Sequence, residues 1–586
     1  MALNEPLFPP ESKWVPPKDF PRLQDAKILG LDCETKDPKL LSEGPGSLRG
    51  DGYIVGISLA TEDNKWYFPI AHEGGGNLDK DKITSWLKNV LGTKTPKVGA
   101  NILYDLEWLR ADLEVHVKGP IYDIQVAEPL LDENKQGGYS LNNLSEHYLG
   151  VCKEEENLKA AAQSYGIDPK SELWRLHSKY VGPYAEADAQ LPIHIFNIQK
   201  KLLAEQDLWE VFALESNLTQ LLLDMRFLGV RVHIEKAYEL SKDMLQQETR
   251  ILDELRINPW STKDLQRLFD REGIPIRYTE AGNPSFTREY LESLSHPVAK
   301  RIVEYRILSK NRRDFIDGLI LKKNIGGRLH AQFHQLRNDR FGTRSGRFSS
   351  SNPNLQQIPS RHPYWGPLIR GLFLPDSGFK FARFDYSQQE PRLTVHYGEL
   401  CNLKGAREAG DKYREDPNTD FHQVIADLTG LPRKQAKTVN LGLAYGMGKT
   451  KLAREMGVSI EEADPILKKY HSNAPFIRQL ANKCADRSMV AKEIVTILGR
   501  KRRLSEGSHH KALNALIQGS AADMTKKAML DLSERYTPHL QVHDELCFSI
   551  ADSQDKEFIK TIMEQAITLK VPVKVDVTVG KNWAGT

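Results

Sequence analysis

Acidic residues at the ends of apolar, strand-like runs constrain this chain more than any other feature of its sequence. In ILGLDCETKD, Asp32 and Glu34 stand two apart where a buried-strand pattern ends. In FARFDY, Asp385 closes an aromatic strand, and LQVHDELCFSI sets Asp544 and Glu545 at a strand–turn–strand signal. Residues two apart on a strand share a face. Carboxylates at the end of an apolar strand are costly to place unless something positive lies between them. A lone D-x-E is more often a strand running out into solvent, and an acid at a hairpin tip is more often a turn residue, so the rest of the chain has to decide.

A chain of 586 residues exceeds a single core and should divide into three or four lobes. Lysine and arginine number 81 against 78 acids, a net of +3, so overall charge does not mark a nucleic-acid binder. The basic groups nevertheless concentrate at Lys310–Arg313, Arg337–Arg347, Lys434–Lys437 and Arg500–Arg503, each of which alone reads as a solvated face. Five scattered cysteines without a C-x-x-C pair point to a reducing compartment and away from structural zinc. No apolar run approaches the ~20 residues of a membrane span. The proline-rich start, MALNEPLFPPESKWVPPKDFP, lacks the order of a signal peptide and reads as an extended arm. A soluble, cytoplasmic protein is expected. GMGKT at 446–450 is not a phosphate loop, because Leu443 stands where the first glycine belongs.

Along the chain, AKILGLDCE and GYIVGISLA read as strands around a Gly/Ser/Pro-rich loop at Glu43–Asp51. Helices then alternate with short strands to about residue 200, giving an α/β domain. Residues 203–324 are mostly helical, with one turn-rich insert, TEAGNPSF. Strand signals return at 329–336 and 379–384, a helical block fills about 403–490, and a strand–turn–strand closes at 540–550.

Two further elements join the first acid pair. VGANILYD ends in Asp105 with Asn101 one turn before it, and YAEAD places Tyr184 and Asp188 at i, i+4 on one helix face. Four acids and a tyrosine in this order resemble the DEDD exonucleases of the tyrosine subtype, the proofreading domain type of family A DNA polymerases. The resemblance implies that Asp32, Glu34, Asp105 and Asp188 hold two metal ions and that Tyr184 orients the attacking water. Phosphodiester hydrolysis of this kind uses ions about 3.5–4 Å apart, which several carboxylates must bridge.

The second set is longer. DYSQQEPR looks like motif A of family A polymerases, with Gln389 and Pro391 at its two usually hydrophobic positions, and VHDEL looks like motif C. Between them, LPRKQAKTVNLGLAYGMG starts with Pro432 at a helix N1 position. Arg433, Lys437, Leu441 and Tyr445 then follow at successive i+4 steps. Cations at the N-terminal half oppose the helix dipole unless an anion sits there. The stretch resembles motif B, the helix that receives the incoming nucleotide. The resemblance implies metal ligation by Asp385, Tyr386 and Asp544, with Glu545 and Lys437 also catalytic. It further implies nucleotide contacts from Arg433, Lys437, Leu441, Tyr445, His422, Gln388 and Glu390, the last crowding the sugar 2′ position. DNA contacts fall to Arg347, Arg392, Asn514, Gln518 and His543; arginine and glutamine can reach minor-groove acceptors that every pair presents. Leu441 replaces the family's usual aromatic residue, and His510 stands where the family often carries arginine.

What the resemblance implies is an α/β and α+β multidomain chain, with an RNase H-like 3′–5′ exonuclease domain at 1–205 and a right-hand polymerase domain at 206–586. The latter would comprise a thumb at about 230–325, a palm at about 326–400 and 500–586, and fingers at about 401–499. The implied activity is primer extension from dNTPs with proofreading, using two Mg²⁺ per site (Mn²⁺ being the alternative). The expected chain is a monomer on a DNA primer–template, with a helicase–primase and a single-strand binding protein as replisome partners. The resemblance begins near residue 26, and no upstream 5′-nuclease domain is expected. That points to a bacteriophage replicative enzyme, with an organellar polymerase as the other source. Two rivals, an RNase D-type nuclease on a binding scaffold and a silent primer–template binder, fit poorly with a complete set of acids.

Overall fold

In the computed structural model, the described residues are 6, 9–153, 155–360, 362–444 and 449–586, without the side chains of 428, 429, 441, 443 and 444. The N-terminal unit is built on five strands: β1 (Leu29–Lys36), β2 (Tyr53–Ala60), β3 (Lys65–Pro69), β4 (Lys97–Gly99) and β5 (Ile121–Asp123). Their order is β3-β2-β1-β4-β5, with β1 antiparallel to β2 and parallel to β4. Both faces are covered, which is why β1 reads as nearly continuously apolar. On one side Leu29, Leu31, Ile57 and Leu59 pack with Ile102, Leu106 and Trp108 of helix α1 (Ile102–Asp112). On the other, Val98 and Ile124 pack with Ala189, Ile193 and Phe196 of helix α2 (Ser178–Glu205).

Gly30 sets how closely α2 approaches the sheet. A Cβ there would overlap the carbonyl oxygen of Ala189 and stand 2.9 Å from its carbonyl carbon. The absence of a side chain therefore lets α2 lie directly on β1. The N-terminal arm straps the outer side of the same helix. Trp14 Nε1 donates to Glu186 Oε1 at 2.9 Å, and Ser12 Oγ donates to the carbonyl of Lys179 at 2.7 Å.

Beyond helix α3 (Trp209–Leu228), a helical segment contains α4 (Ile234–Leu255) and α5 (Pro297–Lys310), the latter continuing as π-helix through Asn311–Leu321. A four-stranded antiparallel sheet follows, from β6 (Lys380–Tyr386), β7 (Leu540–Val542), β8 (Glu545–Ile550) and β9 (Val575–Gly580), ordered β7-β8-β6-β9. Helix α6 (Gln389–Leu400) leaves β6 immediately. The helical block 406–491, which includes α7 (Arg433–Ala444), intervenes before helix α8 (Ala512–Leu532). One continuous core unites the segment around α4 and α5 with the sheet and α8, and the inserted block has its own.

Charge ties the units together. Glu215, Asp523, Arg500 and Lys526 are all buried. Glu215 Oε1 accepts from Arg500 Nη2 and Lys526 Nζ, both at 2.6 Å, and Arg500 Nε donates to Asp523 Oδ1 at 2.9 Å. Arg502 and Arg503, on the hairpin 493–503, reach Glu133 of the N-terminal unit at 2.7 and 2.8 Å. The basic cluster at 500–503 is thus largely internal. No helix among the described residues is long and apolar enough to cross a membrane, and all five cysteines are free.

Candidate active sites

The first acid group assembles from β1, α1 and α2. Asp32 and Glu34 extend from β1, and the tight packing at Gly30 brings Asp188 of α2 beside them. Ligand oxygens of Asp32, Glu34 and Asp188 all lie within 4.8 Å of one another. Asp105 is set one turn into α1, whose start is fixed by Asp123 accepting from the main-chain N–H groups of Asn101 and Ile102 at 3.0 Å each. Asp105 Oδ1 accepts from Cys33 N at 2.9 Å, which ties it to β1 behind the other three acids. Tyr184 lies one turn before Asp188 on the same helix.

These acids are unfavourable as they stand. Burial, and then the neighbouring Asp188, raises Asp32 to about 7. Burial also pushes Glu34 well above the carboxylate range, with Asp32 and Asp188 adding to it. Asp105 moves the same way, through burial and then Asp32. Asp188 is raised by burial, against the pull of Lys153 and Tyr184. Asp188 Oδ1 is buried with no hydrogen-bond partner. An orphaned carboxylate oxygen beside two more carboxylates is a donor set that suits a hard divalent cation such as Mg²⁺ or Mn²⁺. Lys153, which composition and motif did not single out, is the cation that opposes the repulsion at all three acids.

The second group forms on the four-stranded sheet. Asp385 on β6 is directly opposite Glu545 on β8 and Asp576 on β9, so the three side chains share a face. His543 and Asp544 form the turn between β7 and β8, with His543 at φ 60°. Tyr386 N donates to the carbonyl of Asp544 at 3.3 Å, which holds the turn against the end of β6. Burial, then Asp544 and Glu545, raises Asp385 to about 7, and burial also raises Asp544. Glu545 is otherwise engaged. Its Oε1 accepts from Trp583 Nε1 at 2.6 Å, and its Oε2 lies 3.7 Å from Arg383 and 3.9 Å from Arg370. Asp576, not anticipated from sequence, pairs with Lys574 at 2.7 Å.

Around this pair, Gln388 adopts the left-handed conformation (φ 53°) and bridges to the helical block. Its Nε2 donates to Thr419 O at 2.9 Å, and its Oε1 accepts from Phe421 N at 2.7 Å. Glu390 pairs with Arg347, and Arg347 and His543 line one narrow crevice with Gln541. On α7, Arg433 pairs with Asp420 at 2.6 Å and Lys437 is exposed. His422 Nδ1 meets Asn440 Nδ2 at 2.9 Å, and burial lowers its pKa. Asn514 and Gln518 share a half-buried face of α8. The Leu441 side chain and all of Tyr445 lie outside the described residues. Arg392 requires a correction. It is 1% exposed, and its guanidinium donates to the carbonyls of Ser387, Pro417 and Pro572 at 2.6–2.8 Å, so it braces α6 and does not face DNA.

Comparison with known proteins gives two adjoining matches. Residues 20–204 match the model of a 3′–5′ exonuclease domain, and residues 232–585 match that of DNA polymerase family A. A DNA-directed DNA polymerase of Pseudomonas phage M6 is 38% identical, over 99% of this chain and 98% of its own. DNA polymerase I of Geobacillus stearothermophilus is 30% identical over 91% of this chain and 63% of its own. Among solved structures, the POL domain of Pol1 from M. smegmatis, in complex with DNA primer–template and dNTP, superposes with a TM-score of 0.77. That likeness, at 23% identity, covers 96% of this chain and 97% of the other.

Proposed function

The chain belongs to DNA polymerase family A and is a DNA-directed DNA polymerase with a 3′–5′ exonuclease domain, and from that premise we propose that it replicates a bacteriophage genome by metal-dependent nucleotidyl transfer with proofreading. Phage relatives that align along nearly their whole length support the replicative role. The substrates in this reading are a primer–template and dNTPs, with a helicase–primase and a single-strand binding protein as partners. The exonuclease occupies 1–205, the thumb about 230–325, the palm about 326–400 and 500–586, and the fingers about 401–499.

One observation carries the synthetic site: Asp385 near the end of β6 and Asp544 in the β7–β8 turn meet at one end of the sheet, and both are held toward the protonated form by burial. Acids so destabilised as anions gain from a divalent cation. Bound Mg²⁺ would supply Lewis acidity at the primer 3′-hydroxyl and at the departing pyrophosphate. The 3′-oxygen attacks the α-phosphorus, a P–O bond forms, the α–β bridging bond breaks, and the hydroxyl proton leaves to solvent. Exposed Lys437 on α7 is free to reach the triphosphate, and Arg433 can exchange Asp420 for it. Glu390, held by Arg347, stands at the sugar side, and Asn514 and Gln518 face the base pair. In the exonuclease, Asp32, Glu34, Asp105 and Asp188 would hold the metal, and Tyr184 would orient the water.

Primer extension with Mg²⁺ and dNTPs tests this directly. Asp385→Asn should abolish extension while leaving removal of a mismatched 3′ end, and Asp32→Ala should do the reverse. Extension by Asp385→Asn at the parent rate refutes the assignment.

A further inference from the structure

The acid group of the exonuclease is closed on one side by a lysine from a loop that none of its motifs includes. Lys153 lies between the helices Leu141–Leu149 and Glu156–Tyr165. Two hydrogen bonds pin this loop to the first of those helices: Lys153 N donates to Asn142 Oδ1 at 3.3 Å, and Ser145 Oγ donates to Val151 O at 2.8 Å. The side chain runs inward, where its ammonium stands 4.8 Å from the centre of the Tyr184 ring and 2.5 Å from Asp188 Oδ2. The two paired side chains are only 11% and 7% exposed.

An ammonium taken this far from water is costly, and so are three clustered carboxylates, unless each compensates the other. In the absence of metal, Lys153 and the acids therefore keep one another folded in place. The same arrangement creates a conflict. Asp188 is a carboxylate that a divalent cation would claim, and the ammonium already holds one of its oxygens. Two cations a few Å apart in a buried site repel strongly, so full metal loading requires Lys153 to yield.

We propose that Lys153 is a resident counter-ion that competes with divalent metal for Asp188. It keeps the exonuclease acids assembled but unloaded when metal is scarce, and so sets the metal concentration at which proofreading switches on. The inference rests on the metal-binding reading of these acids, and the experiment separates the two.

Mn²⁺ binding is measured by electron paramagnetic resonance on the full chain without DNA, with Asp385 and Asp544 changed to Asn so that the exonuclease acids dominate the signal. Lys153→Met should bind Mn²⁺ roughly tenfold tighter or more, the direction set by removing a like charge within a few Å. Lys153→Arg, which keeps the charge, should stay near the parent. In EDTA, Lys153→Met should melt earlier than the parent, and Mn²⁺ should restore it. Parent-like or weaker Mn²⁺ binding by a folded Lys153→Met overturns the proposal, as does tightening of equal size in Lys153→Arg. Mn²⁺ binding that survives Asp32→Ala unchanged would instead remove the metal reading of the acids, and this proposal with it.

Discussion

Gly30→Ala is the smallest change that separates the two activities. The added methyl would sit 2.9 Å from the carbonyl carbon of Ala189 and 3.1 Å from Ile193 Cδ1, besides overlapping the Ala189 oxygen. Carbon pairs rest at about 3.5–4.0 Å, so α2 has to retreat from β1 by roughly 1 Å. Neither obstacle at Ala189 is a flexible side-chain end; both are main chain in a helix packed on its sheet. Overpacking of this kind costs about 1–3 kcal/mol. The larger effect is on geometry, because the retreat carries Asp188 away from Asp32 and Glu34, whose oxygens now lie within 4.8 Å of its own. A misplacement of about 1 Å can lower a positioned reaction on the order of 10²-fold. Degradation of a 3′-mismatched primer and dNTP extension of a matched one, measured on the same preparation, should show the exonuclease falling by that factor with extension unchanged. A folded Gly30→Ala protein that keeps its exonuclease within twofold of the parent would refute the argument that this glycine sets the spacing of the acids.

Glu215→Ala takes the paired carboxylate from buried Lys526 and leaves Arg500 with Asp523 alone, and should destabilise the polymerase domain by about 3–5 kcal/mol in chemical denaturation. In metal-free protein the folded pKa of Asp32 is about 7, against an ordinary value of 3.8. The folded state then binds more protons than the unfolded one between those values, so stability falls as pH rises through that window. Melting in EDTA should show this decline, Asp32→Asn should reduce it, and Mg²⁺ should flatten it. Arg392→Ala should impair folding, not DNA affinity: its melting temperature should drop while primer–template binding by the remaining folded protein is unchanged.

The metal-site acids were legible because an acid that ends an apolar strand violates the local pattern, and the violation needs no partner to be noticed. Asp188 was legible through its i+4 spacing from Tyr184, though its closeness to Asp32 depends on Gly30, which looks unremarkable in a strand. Arg392 misled because its ligands, Pro417 and Pro572, lie far along the chain. Glu545 likewise depends on Trp583, three residues from the end, and on Arg370 and Arg383. Lys153 has no local signature, since a loop lysine is ordinarily solvated and only the docking of α2 turns it inward. The basic cluster at 500–503 read as surface, yet its arginines are used at the junction between the units.

That junction limits how the molecule can be recombined. Glu133 receives two arginines from a hairpin that also supplies Arg500 to the buried cluster on α3 and α8. A chimaera that transplanted a relative's proofreading domain onto this polymerase would inherit the relative's residue at that position while keeping Arg502 and Arg503. Without an acid there, two guanidiniums would face a partly dry seam with nothing to neutralise them. Glu133 and the 493–503 hairpin are therefore one cassette, to be exchanged together or left together, although 360 or more residues of chain separate them.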